Sequence, residues 1–520
     1  MGEQAERTSL FTKPISLELY PDLSQPITNE LQQLTPSNDY KPGWSFYLIL
    51  AGVATTLGLS LPVGYNIGVI NTSAMLIKQF CNESVIAHYD VVLDKGWLDM
   101  LWSTVVSIFI IGGCTGSLLG AVLADYLGRK KSIITVSGLS IVGAMLFVFC
   151  RVANSVEMLL LGRLLVGLAA GLTTSIVPMY LTELAPLKLS GTMGIACPMG
   201  VNVGVLVGQV MGLNFLLGGV DDWPYLLSVY VLLVIFCLPM LFILPESPKY
   251  LFVIRRDEEN ALKALSRLRG VSNSVLGEDV ELLREESRTS ADGEESWSLG
   301  KVAADGRLRR ALLVVCAMQA GQQTSGINAV FYYSQTIFER AGLSPSSGQY
   351  ATIGCGAVNV CTAALMVWLM PRAGRRKLFL ASTGAAAALL AALALSMRAI
   401  TLVSWMPYVC MAAVLAYVLA YGFGLGPIPY FIASEMFEVG PRPGAMAWGS
   451  LSNWGGNFLV GMTFPTLRDA LGPYCFLLFA ALTAGLFVFE AFCLPETSGK
   501  TPAQVAELCS LGRRRHPRLP

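Results

Sequence analysis

Long apolar stretches dominate the chain between residues 45 and 495. Each has about 20 residues or more, the length an α-helix needs to cross the hydrocarbon core of a bilayer. Their approximate bounds are 45–71, 99–124, 132–151, 156–181, 191–217, 223–245, 309–338, 349–371, 377–398, 405–434, 443–467 and 473–495. The pattern predicts an all-α membrane protein with twelve transmembrane helices.

Two polar stretches stand apart from these spans. Residues 1–43 are polar and contain several prolines, which predicts a cytosolic N-terminal tail. The longer stretch, 250–308, separates the sixth span from the seventh. Within it Leu262, Leu265 and Leu268 recur at helical spacing, so we expect short amphipathic helices in a cytosolic linker.

An internal repeat divides the chain into two halves. Gly128-Arg129-Lys130 recurs as Gly374-Arg375-Arg376, and Leu244-Pro245-Glu246-Ser247 recurs as Leu494-Pro495-Glu496-Thr497. Both pairs share an offset near 250 residues. The repeat predicts two parallel six-helix halves, the arrangement of major-facilitator transporters, whose substrate binds near mid-membrane between the halves. The expected units are an N-terminal half (44–249), the linker (250–308), a C-terminal half (309–497) and a cytosolic tail (498–520).

Composition agrees with a membrane protein and excludes several function classes. Hydrophobic residues make up 54% and charged residues 14%, whereas soluble chains carry about 25% charge. The net charge of +1 disfavours a nucleic-acid partner, and two histidines disfavour a histidine-based metal or catalytic centre. We therefore expect no enzyme activity, no metal and no cofactor. The twelve cysteines contain no CxxC pair and are interpreted as small core hydrophobes.

Lysine and arginine set the orientation of the spans. They concentrate in the second-to-third connection, the eighth-to-ninth connection and the linker, which all fall on one side. By the positive-inside rule this side is the cytosol, and both termini lie there. The sequon Asn82-Glu83-Ser84 lies in the first connection on the opposite side, so we expect glycosylation at Asn82.

Matched acids and bases recur where the helices meet the cytosol. Arginine can form bidentate pairs with carboxylates across helices. We expect such pairs to tie the inner helix ends while the protein is open outward and to part when it opens inward. The alternative is that the bases only set the topology. The residues concerned are Arg129, Glu183, Glu246, Arg375, Arg376, Glu435 and Glu496.

Glycines recur at a spacing of four in two spans. Such faces allow close packing of helices in lipid, and packing is the role we predict for them. The positions are Gly112, Gly116 and Gly120 in the second span and Gly200, Gly204, Gly208 and Gly212 in the fifth.

Amide side chains inside apolar spans are the candidate binding groups. Polar groups at membrane depth usually face a cavity or one another. Amides both donate and accept hydrogen bonds, and an indole offers a flat apolar wall, which together suit a neutral polyhydroxylated ligand such as a sugar. Interhelical hydrogen bonding without a ligand is the alternative for any single residue. The set comprises Gln319, Gln322, Gln323, Asn328, Asn359, Asn453, Asn457 and Trp454.

The tenth span cannot remain a regular helix. Gly422, Gly424, Gly426, Pro427 and Pro429 precede Tyr430. Prolines remove backbone donors and clash with the preceding turn. We expect a bend here that acts as a gate, with a simple kink as the alternative.

The motifs together resemble the facilitative hexose transporters of the sugar-porter family, from about residue 44 to 501. They are GYNIGVIN (64–71), GRK (128–130), GR (162–163), PMYLTELAP (178–186), PESPK (245–249), QQTSGINAVFYY (322–333), AGRR (373–376), GPIPY (426–430), GPRP (440–443), SNWGGNF (452–458) and PETSGK (495–500).

The resemblance implies roles for particular residues. Tyr332 and Tyr333 match an outer gate, Tyr430 matches an aromatic at the inner side of the site, and Gly426 and Pro427 belong to the predicted gate of the tenth span. The positions that match hexose contacts are Gln322, Gln323, Asn328, Asn359, Trp454 and Asn457.

Asn66 indicates how transport is driven. Proton-coupled relatives of this family resemble the GYNIG motif but carry Asp at this position, near the arginine that Arg163 matches. An Asp beside Arg changes charge by protonation, whereas Asn does not titrate. We therefore predict uniport down the gradient.

Some positions depart from the family pattern. Pro198 stands where many members carry a sugar-contacting Gln, and Tyr430 stands where Trp is common in glucose carriers. These departures leave the choice between glucose and fructose open. Pro371 and Ser190 replace charged residues of the cytosolic network.

The sequence as a whole predicts facilitative transport of a hexose, glucose and/or fructose, across the plasma membrane by alternating access. The partners expected are the hexose and the lipid bilayer, with no obligate protein partner. The alternatives are a proton-coupled sugar symporter, a non-transporting sugar sensor, and a carrier of urate or another small solute, because fold alone does not fix function.

Overall fold

In the computed structural model, the regular secondary structure of the described residues is helical. It describes residues 43–500 except 273–275, 292–298, 371, 401, 438–440 and 499, together with 504, 505 and 508. Most of both predicted tails therefore lies outside the described residues.

The first half of the described chain contains nine α-helices. They are α1 (Phe46–Thr55), α2 (Leu61–Thr72), α3 (Ala74–Tyr89), α4 (Lys95–Leu127), α5 (Arg129–Val152), α6 (Val156–Leu184), α7 (Leu187–Met211), α8 (Trp223–Ser228) and α9 (Val231–Ile243). A π-helical turn at Thr56–Ser60 joins α1 to α2.

The linker and the second half contain the remaining helices. They are α10 (Glu258–Arg269), α11 (Gly277–Ala291), α12 (Leu299–Ala304), α13 (Arg309–Thr324), α14 (Ile327–Arg340), α15 (Pro345–Leu369), α16 (Arg375–Arg398), α17 (Met406–Gly422), α18 (Ile428–Met436), α19 (Arg442–Leu471) and α20 (Cys475–Cys493).

Nine helical runs among the described residues are long and apolar enough to cross a membrane. One of them, Arg442–Cys493, is α19 and α20 joined by a 3₁₀ turn at Gly472–Tyr474. The seventh and tenth predicted spans are each divided into two shorter helices, α13 with α14 and α17 with α18. The all-α membrane class is confirmed, and the count of twelve crossings stays a prediction.

Close packing of the first half depends on the predicted glycine faces. A Cβ added at Gly112 or Gly116 of α4 would stand 2.3 or 2.2 Å from a carbonyl oxygen of α6. At Gly204 of α7 it would stand 2.1 Å from the Leu61 carbonyl oxygen of α2. Any larger residue there would force the helices apart, so the packing role of these glycines is confirmed.

Among the described residues, the two halves meet most extensively at α2 with α14, α4 with α19, and α7 with α15. Asn71 lies at the end of α2 that is predicted to be extracellular. Its side-chain amide donates to the Ser334 hydroxyl of α14 at 2.6 Å. Ser117 and Ser450 share a hydrogen bond of 2.8 Å between α4 and α19. These contacts bring the halves together around the predicted binding residues.

The linker is helical, as its leucine spacing predicts. Asp257 caps α10 by accepting from the Asn260 backbone N–H at 3.1 Å, and the hydrogen bonds from Asn260 lower the pKa of its carboxyl. Arg269 donates to the Leu184 carbonyl at 2.8 Å and to Asp279 at 3.0 Å. These bonds attach the linker helices to the end of α6 predicted to be cytosolic.

Candidate functional site

The break between α13 and α14 positions the amide residues of the seventh span. Gly326 has a φ of +84°, a left-handed conformation that favours glycine, and a Cβ there would stand 2.8 Å from the Phe479 ring. The Tyr417 hydroxyl donates to the Ser325 carbonyl at 2.9 Å and holds the break in place. The chain therefore changes direction between Gln323 and Asn328.

Five amides from α13, α14 and α19 form a hydrogen-bonded group, which we term the amide cluster: Gln319, Gln322, Gln323, Asn328 and Asn453. Asn453 donates to Gln319 at 2.8 Å and to Gln322 at 2.5 Å, and Gln323 donates to Asn453 at 3.0 Å. Asn328 donates to Gln323. The predicted shared face of the three glutamines is confirmed.

The irregular turn between α17 and α18 and the first residues of α18 contribute backbone acceptors to the amide cluster. Gln322 donates to the Gly426 carbonyl at 2.5 Å and Gln319 donates to the Pro429 carbonyl at 2.9 Å. The predicted interruption of the tenth span at Pro427 is confirmed, and its gating role stays a prediction. The interruption brings the carbonyls of Gly426 and Pro429 to the amides of α13.

Two aromatic residues flank the amide cluster. Tyr430 directly follows Pro429, whose carbonyl accepts from Gln319, and 60% of the surface of Tyr430 is exposed. Trp454 follows Asn453 and packs against α4, where a Cβ on Gly113 would stand 2.4 Å from the ring. Each of these aromatic residues is thus the chain neighbour of a residue that takes part in the hydrogen bonds of the amide cluster.

The two tyrosines predicted as an outer gate are buried. Tyr332 and Tyr333 contact each other edge to face with ring centroids 6.5 Å apart, and the Tyr333 hydroxyl donates to the Gly461 carbonyl at 3.2 Å. Asn457 lies beside the Tyr332 hydroxyl. Together with the Asn71–Ser334 bond, these contacts close the predicted extracellular side in this structure.

Asn359 has no hydrogen bond to the amide cluster among the described residues. It donates instead to the Asn202 side chain of α7 at 3.0 Å, across the two halves. The sequence interpretation omitted Asn202 and left Asn453 out of the expected hexose contacts. Asn202 is an amide within the apolar run of α7, the same kind of signal that identified Asn359.

Arg163 is completely buried and bonded to backbone rather than to a carboxylate. It donates to the Val105 carbonyl at 3.2 Å and to the Asn66 carbonyl at 3.1 Å, and its guanidinium lies 4.5 Å from the Phe109 ring centre. The Asn66 side chain donates to the Pro62 carbonyl at 2.9 Å. Carbonyl dipoles and an aromatic face thus surround the charge.

In the first half, the predicted cytosolic charges form a compact network. Arg129 makes a bidentate pair with Glu183, with N–O distances of 2.9 and 3.0 Å. Glu246 accepts the backbone N–H groups of Lys130 at 3.1 Å and Ser247 at 2.9 Å. The Ser247 hydroxyl donates to Glu183 at 2.5 Å and links the two carboxylates.

The second half repeats this geometry. Arg375 pairs with Glu435 at 3.2 Å, and Glu496 accepts the Arg375 backbone N–H at 2.8 Å. The Thr497 hydroxyl donates to Glu435 at 2.5 Å, as Ser247 does to Glu183. Arg376 instead donates to the Ala491 carbonyl at 2.7 Å. Each of these pairs lies within one half, and their role in gating stays a prediction.

The predicted glycosylation sequon lies inside helix α3. The Ser84 hydroxyl is buried, donating to the Asn154 carbonyl at 2.5 Å and accepting from the Val156 backbone N–H at 3.1 Å. Asn82 is half-buried. Glycosylation at Asn82 stays a prediction, and the buried serine indicates that any modification precedes folding of this helix.

A family model described as "Sugar (and other) transporter" matches residues 51–508. The chain is 40% identical over 463 residues to the solute carrier family 2, facilitated glucose transporter member 4 of Bos taurus, covering 88% of this chain and 90% of the relative. It is 40% identical over 454 residues to member 3 of the same family from Ovis aries, covering 87% and 91%.

Solved structures share the fold. The inward-open conformation of the xylose transporter XylE from E. coli matches with a TM-score of 0.72 and 21% identity, covering 89% of this chain and 99% of that one. The major facilitator superfamily proton:xylose symporter XylE bound to 6-bromo-6-deoxy-D-glucose matches with a TM-score of 0.69 and 22% identity. This match also covers 89% of this chain and 99% of that one. The helices described above therefore have the major facilitator fold.

Proposed function

The chain belongs to the sugar transporter family, and from this membership we propose that it carries a hexose, glucose and/or fructose, across the plasma membrane by facilitated diffusion. The relatives at 40% identity are named facilitated glucose transporters, which supports a hexose as the substrate. The protein acts as a multi-pass carrier rather than as an enzyme.

The amide cluster is the observation that carries this proposal. Its side chains are all neutral, and each amide offers both a donor and an acceptor, as successive sugar hydroxyls require. The exposed Tyr430 ring supplies an apolar surface for the carbon face of a pyranose or furanose. A neutral polyhydroxylated ligand fits this chemistry better than an amino acid or an organic ion.

Uniport follows from the surroundings of Arg163. Proton coupling needs a titratable group that changes charge during the cycle. At the position where proton-coupled relatives carry Asp, this chain has Asn66, which accepts from Arg163 through its backbone carbonyl. This arrangement supports movement of the sugar down its own gradient without a proton.

Alternating access between two halves completes the proposed mechanism. The proposed units are the halves 44–249 and 309–497, the cytosolic linker 250–308 and cytosolic tails at both ends. The halves rock around the amide cluster while Tyr332 and Tyr333 close the outer side and Gly426 and Pro427 bend at the inner side. The pairs Arg129–Glu183 and Arg375–Glu435 hold the inner helix ends of each half.

Uptake of labelled glucose and fructose into proteoliposomes, with and without an imposed proton gradient, tests this proposal. We expect saturable uptake that stops at equal concentrations and does not respond to a protonophore. Accumulation above equilibrium that a protonophore abolishes would establish a proton symporter instead. No uptake of either sugar by correctly inserted protein would contradict hexose transport and leave a sensor or a carrier of another solute.

A further inference from the structure

The predicted hexose contacts all come from one half of the protein. Gln322, Gln323, Asn328 and the others lie between residues 309 and 497. A ligand shifts a conformational equilibrium only if it interacts differently with the two states. A sugar bound to one half alone would keep the same contacts however the halves move, so a contact from the first half is required.

Asn202 is an amide of the first half that meets this requirement, because it is hydrogen-bonded to Asn359, a predicted hexose contact. The glycine face of α7, which includes Gly200 and Gly204, packs against α2 and the π-helical turn. Asn202 lies two residues from each of these glycines, which places it on the opposite face of the helix. There it accepts a hydrogen bond from Asn359 of the second half.

The Asn202–Asn359 pair lies at the depth expected of a central site. Both residues fall near the middle of 25-residue helices, α7 and α15. Gln322 and Gln323 lie next to the break that divides the seventh span, also midway along it. The pair and the amide cluster therefore occupy the same level of the membrane.

The pair retains unused hydrogen-bonding capacity. One bond joins Asn359 Nδ2 to Asn202 Oδ1. Within the described chain, Asn202 Nδ2 and Asn359 Oδ1 make no other bond, and neither belongs to the buried polar atoms that lack a partner. A donor from one half and an acceptor from the other are thus both accessible, and together they match two neighbouring sugar hydroxyls.

We propose that Asn202 is the hydrogen-bonding contact of the first half to the transported hexose, and that the sugar binds both members of the Asn202–Asn359 pair. This inference rests on the proposed hexose transport. Pro198, one turn earlier on α7, has an exposed side chain without polar atoms, so Asn202 provides the polar group that α7 otherwise lacks at this level.

The test compares Asn202→Leu with the wild-type carrier, using the preferred hexose and its monodeoxy analogues. A site that hydrogen-bonds a hydroxyl discriminates against the analogue that lacks it. We expect Asn202→Leu to raise KM by about three- to tenfold with little change in maximal rate. The variant should also lose the wild-type discrimination against one analogue while keeping it against the rest.

A matched control separates substrate contact from a structural link between the halves. Asn214 accepts a hydrogen bond from Gln349 at 3.3 Å, joining the same two parts of the chain beyond the outer end of α7. Asn214→Leu should leave KM and the ranking of analogues unchanged. Equal effects of both variants on maximal rate, with the ranking of analogues intact, would overturn the proposal.

Asn202→Ala provides a second variant if the leucine variant does not reach the membrane. Its methyl group has neither a donor nor an acceptor and adds no bulk, so KM for the parent hexose should rise and discrimination against one analogue should be lost. An unchanged KM and an unchanged ranking of the analogues in Asn202→Ala would equally overturn the role of Asn202. Failure of the wild-type protein to transport any hexose would reject the proposed function itself, a result distinct from either outcome for the variants.

Discussion

Gln322 is the most constrained side chain of the amide cluster. It is fully buried, donates to the Gly426 carbonyl and accepts from both Gln323 and Asn453. Each of these partners loses a hydrogen bond if the amide is removed. Substitution of Gln322 should therefore disturb the amide cluster as well as remove a predicted contact to the sugar.

Gln322→Ala should lower hexose uptake at an equal amount of protein at the surface. The loss of a hydrogen bond to the sugar in a buried site costs about 2 kcal/mol, which corresponds to roughly 30-fold in binding. Concentration-dependent uptake of the labelled sugar measures the effect. Gln335→Ala, which removes an amide bonded to Glu339 outside the cluster, serves as the control. Unchanged uptake in Gln322→Ala would remove this residue from the site.

Glu490 is a buried carboxylate that the sequence interpretation missed. It lies near the end of α20 with 0% of its surface exposed, and neither carboxylate oxygen has a hydrogen-bond partner in the described part of the chain. An unpartnered buried polar group costs free energy of folding without a compensating bond.

Glu490→Leu should therefore stabilise the protein. We expect a gain of about 1–3 kcal/mol, visible as a rise in the unfolding temperature of the protein in detergent. Glu496→Leu is the comparison, because it removes the acceptor of the Arg375 backbone N–H and should lower the unfolding temperature. A lower unfolding temperature in Glu490→Leu would show that this carboxylate has a stabilising partner.

At the scale of elements, close helix packing leaves some glycine positions no space for a side chain and others ample space. A Cβ at Gly116 would stand 2.2 Å from the Leu168 carbonyl oxygen, whereas nothing lies within 4 Å of one at Gly138. Gly116→Ala should force α4 and α6 apart and reduce the folded fraction seen by size-exclusion chromatography. Gly138→Ala should be neutral or slightly stabilising, since alanine favours helix. Equal behaviour of the two variants would contradict this packing.

The two cytosolic ion pairs have matching geometry but different burial. The side chains of Arg129 and Glu183 are 6% and 10% exposed, whereas those of Arg375 and Glu435 are 18% and 24% exposed. Breaking a more buried pair leaves a charge that water screens less. The first half should therefore depend more strongly on its ion pair than the second.

Substituting the two glutamates tests this difference directly. Glu183→Gln should destabilise the protein by about 3 kcal/mol and Glu435→Gln by about 1 kcal/mol, measured as decreases in unfolding temperature. Added salt should reduce the effect of Glu435→Gln more, because its pair is more exposed. A larger decrease for Glu435→Gln would mean that burial does not control the strength of these pairs.

At the scale of the whole molecule, the structure is closed at the predicted extracellular side. Asn71 and Ser334 join the halves there, and Ser334 also donates to Thr352 at 3.0 Å. Since one bond joins α2 and α14 at this point, removing it should favour separation of the two halves on this side.

Asn71→Ala should shift the equilibrium towards an outer side that is open. The loss of a hydrogen bond worth about 1 kcal/mol shifts the populations by roughly fivefold. Amide hydrogen exchange across residues 327–340 should become faster. Thr104→Ala is the control, because that hydroxyl bonds only within its own helix. Unchanged exchange in Asn71→Ala would show that other contacts hold this side closed.

Several features could be predicted from the sequence because they depend on neighbouring residues. Helix formation and the shared face of Gln319, Gln322 and Gln323 follow from the 3.6-residue period. The interruption at Pro427 follows from the chemistry of proline. The predicted helical linker likewise follows from the leucine spacing of residues 257–270.

Tertiary structure alone decided the partners of the buried polar groups. Asn202 and Asn359 are 157 residues apart, and the Arg163 guanidinium donates to the backbone carbonyl of Asn66, 97 residues away. Periodicity shows that a polar residue lies within a span, but hydrogen bonding depends on distances of about 3 Å that only helix packing sets. The sequence thus determined the helices, the repeat and the amide face, while packing between the halves decided which amide of the first half reaches the centre.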